Sequence, residues 1–292
     1  MKRHGILCIL LGLALHLPAQ TAAETEAEWN RYALRLLDPA SPDQLKKASA
    51  DSLLSDMDDR LGHKEIFNYA FPALRNISRI EAPDNTFRIF TFMVQYADGH
   101  YDNYGFTQFE DKKNDRIHVA QLTDNKPEFK LAETRNYGKK QWYGAVYYTI
   151  LPKPIGRKGQ YVLLGRDHNN RLTTRKVMEV ISFSRIGEPQ FGAPVFKTEK
   201  RMFNRIVLEY NAKASVSVRY QKDRNWILFD YVAPSSQQYT GQFQYYGPTG
   251  EYDAFRVEKN YLQIVRGADA RNDSENKGNT SKTPQRGLKP GE

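Results

Sequence analysis

The chain reads as mainly β, an antiparallel meander behind a short helical N-terminal segment, closed as a sandwich or open barrel or alternatively as an incomplete propeller. Three observations predict this. Short β-branched and aromatic runs recur roughly every ten to fifteen residues from Phe71 onward, Gly, Pro, Asn and Asp punctuate them, and no long amphipathic helix intervenes.

Residues 1–23 read as a secretory signal peptide. Lys2 and Arg3 form a charged start, Ile6 to Leu17 an apolar stretch, and Ala19, Ala22 and Ala23 supply small residues for cleavage after Ala19 or after Ala23. The apolar stretch is too short to span a bilayer and no later run is longer, so no integral membrane span is expected. The one cysteine, Cys8, lies inside this leader and lacks the residues that precede a lipidated cysteine. The mature chain then carries no thiol, which removes disulfides, thiolate catalysis and cysteine-ligated metals. Export without disulfides points to a bacterial periplasm or cell envelope.

Residues 24–70 read as helical. Trp29, Tyr32, Ala33, Leu36 and Leu37 recur at helical spacing until Pro39. A second helix is expected from Ser41, with Pro42 at the first position, Gln44 completing a capping box, and Leu45, Ala48, Leu53, Met57 and Leu61 as its apolar side up to Gly62. Asp56, Asp58 and Asp59 point in different directions on such a helix, which predicts a solvated face.

Residues 71–266 form the β body. Strands are expected at Ile77 to Glu81 and Phe87 to Tyr96 around a Pro-Asp-Asn turn, then at Tyr101 to Phe109, Ile117 to Thr123 and Trp142 to Leu151. A hairpin follows, Tyr161 to Gly165 facing Lys176 to Phe183. Val177 and Ile181 on one side of its second strand and Met178 and Val180 on the other predict a central strand covered twice. Ile206, Leu208 and Tyr210, then Val216, Val218 and Tyr220, alternate with polar residues as a pair of strands with one wet face each. Trp226 to Val232 and Phe255 to Val265 complete the body. Residues 267–292 are poor in large apolar side chains and read as a disordered tail.

Several phrases carry a resemblance. Ala82-Pro83-Asp84-Asn85-Thr86-Phe87-Arg88-Ile89-Phe90-Thr91, Tyr104-Gly105-Phe106, Leu163-Leu164-Gly165-Arg166-Asp167-His168-Asn169, Phe191-Gly192-Ala193-Pro194-Val195-Phe196 and Trp226-Ile227-Leu228-Phe229-Asp230 resemble a family of exported proteins of Bacteroidota-type bacteria. That family has no assigned activity. The resemblance implies export and a shared β-rich body.

No GxSxG, SxxK or phosphate-cradling glycine loop is present, and no pair of histidines among His63, His100, His118 and His168 has metal-site spacing. Neither a metal nor an organic cofactor is expected. Asp98, His100 and Asp102 would share a sheet face as the best local metal triad, but Asp98-Gly99 is also simply a good turn. Asp167-His168-Asn169-Asn170 begins like a calcium loop and lacks its glycine and closing glutamate, so an Asx turn explains it better. Glu179 and Asp230 sit in apolar strands where an unpaired carboxylate is costly, which makes them the carboxylates to inspect for a hydrolase; Arg205 or Arg219 would be the structural partner.

The segment from Tyr239 to Tyr252, YTGQFQYYGPTGEY, is the most suggestive binding feature. Tyr239, Tyr245, Tyr246 and Tyr252 would present flat amphipathic rings between glycines, suited to stacking on a sugar or packing on a protein. The formal charge of +9 is a modest basic bias without a dense Lys/Arg run, so nucleic acid is not expected as a partner. The expected function is a non-enzymatic envelope protein that binds a protein or glycan, with a carboxylate-dependent hydrolase of envelope glycan or peptide as the alternative.

Overall fold

The computed structural model describes residues 21–125, 132–156 and 159–270. Almost all of the expected leader, and residues 271–292 of the expected tail, lie outside the described residues.

Helix α1 (Ala22–Leu36) opens with a capping box between Thr21 and Glu24, two residues whose side chains each accept from the other's backbone amide. The box expected at Ser41 does not form. Helix α2 (Asp43–Arg60) starts after Pro42 without a side-chain cap, because Ser41 donates its hydroxyl to Asp38. Its inward face also departs from expectation, running through Lys46, Ala50, Leu53 and Met57 and leaving Leu45 and Ala48 exposed. Lys46 packs its stem and donates its ammonium to the carbonyl of Gln95 at 2.7 Å. Asp56 is not merely solvated: it accepts from Trp29 Nε1 at 2.7 Å and pairs with Arg60, tying α1 to α2. A one-turn helix α3 (Lys64–Asn68) leads into the β body.

The first sheet is a four-stranded antiparallel meander of β1 (Ser78–Glu81), β2 (Phe87–Gln95), β3 (Tyr101–Asp111) and β4 (Arg116–Thr123). Alternation along β2 assigns its two faces. Phe90, Phe92 and Val94 meet the helices, where Trp29 stacks on Phe71 with ring centroids 5.1 Å apart, while Phe87 and Ile89 meet the second sheet.

That second sheet comprises β5 (Tyr137–Gly138), β6 (Val146–Ile150), β7 (Tyr161–Asp167), β8 (Thr173–Phe183) and β9 (Pro189–Phe191), ordered β5-β9-β8-β7-β6. After the two-residue strands β10 (Phe196–Lys197) and β11 (Met202–Phe203), β12 (Arg205–Asn211) returns to pair with β8. The central, doubly covered strand is β8 as expected. Val177 and Ile181 join the core against the first sheet, and Met178 and Val180 the core against the third.

The third sheet holds β13 (Val218–Gln221), β14 (Trp226–Pro234), β15 (Tyr246–Val257) and β16 (Leu262–Val265), with β10 parallel to β16 and β11 at the far edge. Two expectations fail here. The alternating runs around Leu208 and Val218 do not pair with each other: β12 joins β8 and β13 joins β14, so the chain crosses between sheets after Asn211. With both its faces covered, β12 has no wet side, and Ile206 and Val207 enter different cores. Phe255 to Val265 is not one strand but two, folded back where the Glu258 amide donates to the carbonyl of Tyr261 at 2.9 Å. The body also extends past residue 266. Ala268 is buried on β15, its amide donating to the carbonyl of Tyr252 at 2.7 Å.

The result is a layered arrangement of helices, first sheet, second sheet and third sheet, separated by three apolar cores. It is mainly β, and its strand pairs are antiparallel save β10 with β16. Among the described residues no helix is long and apolar enough to cross a membrane.

Candidate functional site: an aromatic shelf at the end of the third sheet

Between β14 and β15 the chain makes two 3-10 turns, Gln237–Tyr239 and Phe243–Tyr245, joined at Gly241, whose φ of +83° is the left-handed conformation that only glycine adopts cheaply. The reversal lays the ring of Tyr239 on that of Tyr245, centroids 4.1 Å apart and 25° from parallel. Tyr246 begins β15, packs against Phe243 at 5.0 Å and accepts the Gly241 amide on its hydroxyl at 2.9 Å. The loop is held from outside too: the side-chain amide of Asn211, at the end of β12, donates to the carbonyl of Gln244.

Tyr239, Tyr245 and Tyr246 are thus brought together, and Tyr245 remains 43% exposed. Tyr252 does not join them. It lies opposite Asp230 well inside β15, which is strand and not loop from Tyr246 onward, and it packs over Leu228, Ala254 and Ala268 on the outer face of the sheet. Beside the shelf runs an open groove of about 580 Å³, to which Tyr245, Tyr246, Gln244 and Thr249 contribute from the loop and β15, and Asn211 and Lys213 from the end of β12. No carboxylate or histidine lines it. Asn211 and Lys213 precede the tyrosines by about thirty residues in the sequence, so only the crossover from the second sheet to the third shows that they belong to the site.

The carboxylates marked for a hydrolase are placed elsewhere. Glu179, on β8, is fully buried and paired with equally buried Arg205 at 2.6 Å. Its other oxygen accepts from the hydroxyl of Tyr147, which in turn accepts from Trp142 Nε1 at 2.9 Å. Burial, and then the Glu179 charge, push the Tyr147 hydroxyl well above its ordinary pKa, so it stays a donor. Arg205 also donates to the carbonyl of Ala132 and lies over the rings of Tyr137 and Tyr143, at 4.9 and 5.6 Å. The ring of Tyr147 fits because Gly165 lies beneath it; a Cβ there would come within 2.8 Å of the ring. Asp230 accepts the Ser217 amide at 2.6 Å, a local crossover clasp, while Arg219 points outward on β13.

The remaining candidates are turns and ties. Asp98 accepts from the His100 amide at 3.0 Å and from its ring, whereas Asp102 accepts from the hydroxyls of Tyr96 and Tyr104, so the three do not converge. Asp167 accepts the Asn169 amide at 3.0 Å, the expected Asx turn, and pairs with Arg175, which also holds Glu209 at 2.9 Å. His63 precedes α3, and His118 faces Asp111 at 3.7 Å on β4. Among the described residues no group of three or more His, Asp or Glu side chains is arranged to hold a metal.

Comparison of the chain with protein-family models, with curated proteins and with solved structures found no match.

Proposed function

We propose that this is an exported, envelope-facing protein that binds a macromolecular partner without chemistry, and that the partner is an uncharged glycan seated on the aromatic shelf. The observation that carries the reading is the stacked Tyr239–Tyr245 pair, its Tyr245 ring exposed, beside a groove of amides and hydroxyls. Flat rings match the apolar faces of sugar rings, and Gln244 offers a donor and an acceptor to hydroxyl groups beside Asn211 and Thr249, whose side chains keep part of their capacity after bonding within the protein. One lysine and no acid in the groove suit a neutral ligand better than a polyanion or a basic peptide. Burial of Glu179 against Arg205 weighs against the hydrolase alternative, since a general acid or base has to reach its substrate.

Export fits the start of the folded chain. Cleavage after Ala19 leaves the Thr21–Glu24 box that caps α1, whereas cleavage after Ala23 deletes half of it. N-terminal sequencing of protein from the cell envelope should therefore begin at Gln20; an intact Met1 in the cytoplasm contradicts export.

Binding is tested by measuring the affinity of the purified protein for soluble neutral and acidic envelope polysaccharides. Neutral chains are expected to bind, with Tyr239→Ala and Tyr245→Ala each weakening the complex about tenfold or more, the scale of an aromatic anchor, and Tyr252→Ala leaving it unchanged. Equal binding by wild type and both shelf variants, or by acidic chains alone, refutes the reading.

A further inference from the structure

A second concavity, remote in character from the shelf, lies where the first and second sheets meet. It encloses about 330 Å³ and is walled by Leu37, Ile77, Met93 and Val146. That volume is at the lower end of small-molecule sites, which run from about 300 to 1,000 Å³. Tyr148 and Arg166 line one side, with the His168 ring beyond them.

Arg166 is unlike the other arginines of the interior. Arg205 has Glu179, Arg175 has Asp167 and Glu209, and Arg88 has Glu81. Arg166 has no ion-pair partner among the described residues; its buried Nε, like that of Arg88, has no acceptor among them either. Directly across the β7–β8 ladder stands Lys176, a second cation without an ion pair among the described residues, and like charges in that position repel. The Lys176 ammonium lies 4.8 Å from the centre of the Tyr148 ring. Burial, and then Arg166, hold its pKa below the ordinary lysine value, with Asp230 acting the other way; that carboxylate is itself engaged by the Ser217 amide. An arginine without an ion pair that lines an apolar hollow, with a second cation across the ladder from it, is the pattern of a site awaiting an anion.

We propose that this groove binds a small carboxylate with a short apolar tail, the carboxylate on Arg166 with Lys176 behind it and the tail along Leu37, Ile77, Met93 and Val146. The planar guanidinium matches a carboxylate with two parallel hydrogen bonds, and ligand charge replaces the partner the sequence omits. This site does not depend on the aromatic shelf.

Isothermal titration of the full mature chain with octanoate, octan-1-ol and octyl phosphate tests it. Octanoate is expected to bind saturably and at least about tenfold more tightly than octan-1-ol, the worth of one charge-assisted hydrogen-bond pair. Arg166→Met should lose that margin and yet raise Tm, because it removes an uncompensated cation. Met93→Trp should block the tail and weaken octanoate binding, while Tyr245→Ala leaves it unchanged. The proposal is overturned if octanoate shows no saturable binding, if octan-1-ol matches it, if octyl phosphate binds more tightly, if Arg166→Met still binds octanoate like wild type, or if that variant melts below wild type.

Discussion

The centre of the second sheet and the end of the third use the same residue to opposite effect. Tyr147 is fully enclosed, its hydroxyl hydrogen-bonded to Trp142 and Glu179, its ring resting on Gly165. Tyr245 is 43% exposed and stacks on another tyrosine beside an open groove. What separates architecture from a binding surface here is whether the surroundings have used up the side chain's contacts.

The sharpest way to break that comparison is to unbalance the centre. Glu179→Ala leaves the Arg205 guanidinium at zero exposure with no carboxylate, and removing one partner of a buried pair costs about 3–5 kcal/mol. Denaturant unfolding of wild type and variant should show that loss as a fall in midpoint at unchanged slope. A cost below about 1 kcal/mol would mean that water reaches Arg205, and the centre would be a site like any other.

The sequence announces some of this plainly. Val177, Met178, Val180 and Ile181 mark β8 as a strand covered on both faces because burial on two sides leaves no room for alternation, and β8 is that strand. The Pro83-Asp84-Asn85 turn between β1 and β2 is legible for the same local reason. Pairing partners are less legible. Alternation in β12 and β13 identifies strands but carries no address, so their separation into different sheets is decided by long-range packing. Ser41 is the residue type that caps a helix, but Asp38 competes for its hydroxyl, and local pattern does not rank the two partners. Of the four tyrosines, three were gathered by Gly241 and one was not, because Tyr252 lies well along β15, opposite Asp230, far from the turn. The lone position of Arg166 is invisible in sequence, since it consists of missing partners.

A smaller effect sharpens the comparison by pH. Glu133, half-buried, accepts the Val207 amide at 3.1 Å near Arg205, and burial outweighs that bond and the arginines to raise its pKa above the ordinary 4.5. A carboxyl with a raised folded pKa binds its proton more tightly folded than unfolded. Its contribution is therefore full below about 4.5 and is lost as pH rises through the raised folded value. Glu133→Gln keeps an acceptor for Val207 and should flatten the stability profile across that window. An unchanged profile would assign the slope to other groups and leave Glu133 as part of the solvated rim.

The smallest expected change in stability falls on the shelf. Tyr245→Ala removes a ring that is 43% exposed, so the main loss is its stack on Tyr239, worth about 0.5–1.5 kcal/mol for an aromatic pair. Phe255→Ala, in the core between the second and third sheets, should cost about 3–5 kcal/mol by contrast, because a cavity is left where nothing can collapse. The double variant Tyr239→Ala with Tyr245→Ala then discriminates between two kinds of shelf. If the rings interact chiefly with each other, the second substitution removes a partner already lost, and the double variant costs little more than either single one. If each ring instead anchors the loop to the body, the costs add, and the shelf is packing that happens to be exposed. Urea midpoints of the four proteins decide between these outcomes, and only the non-additive result leaves the tyrosines free for a ligand.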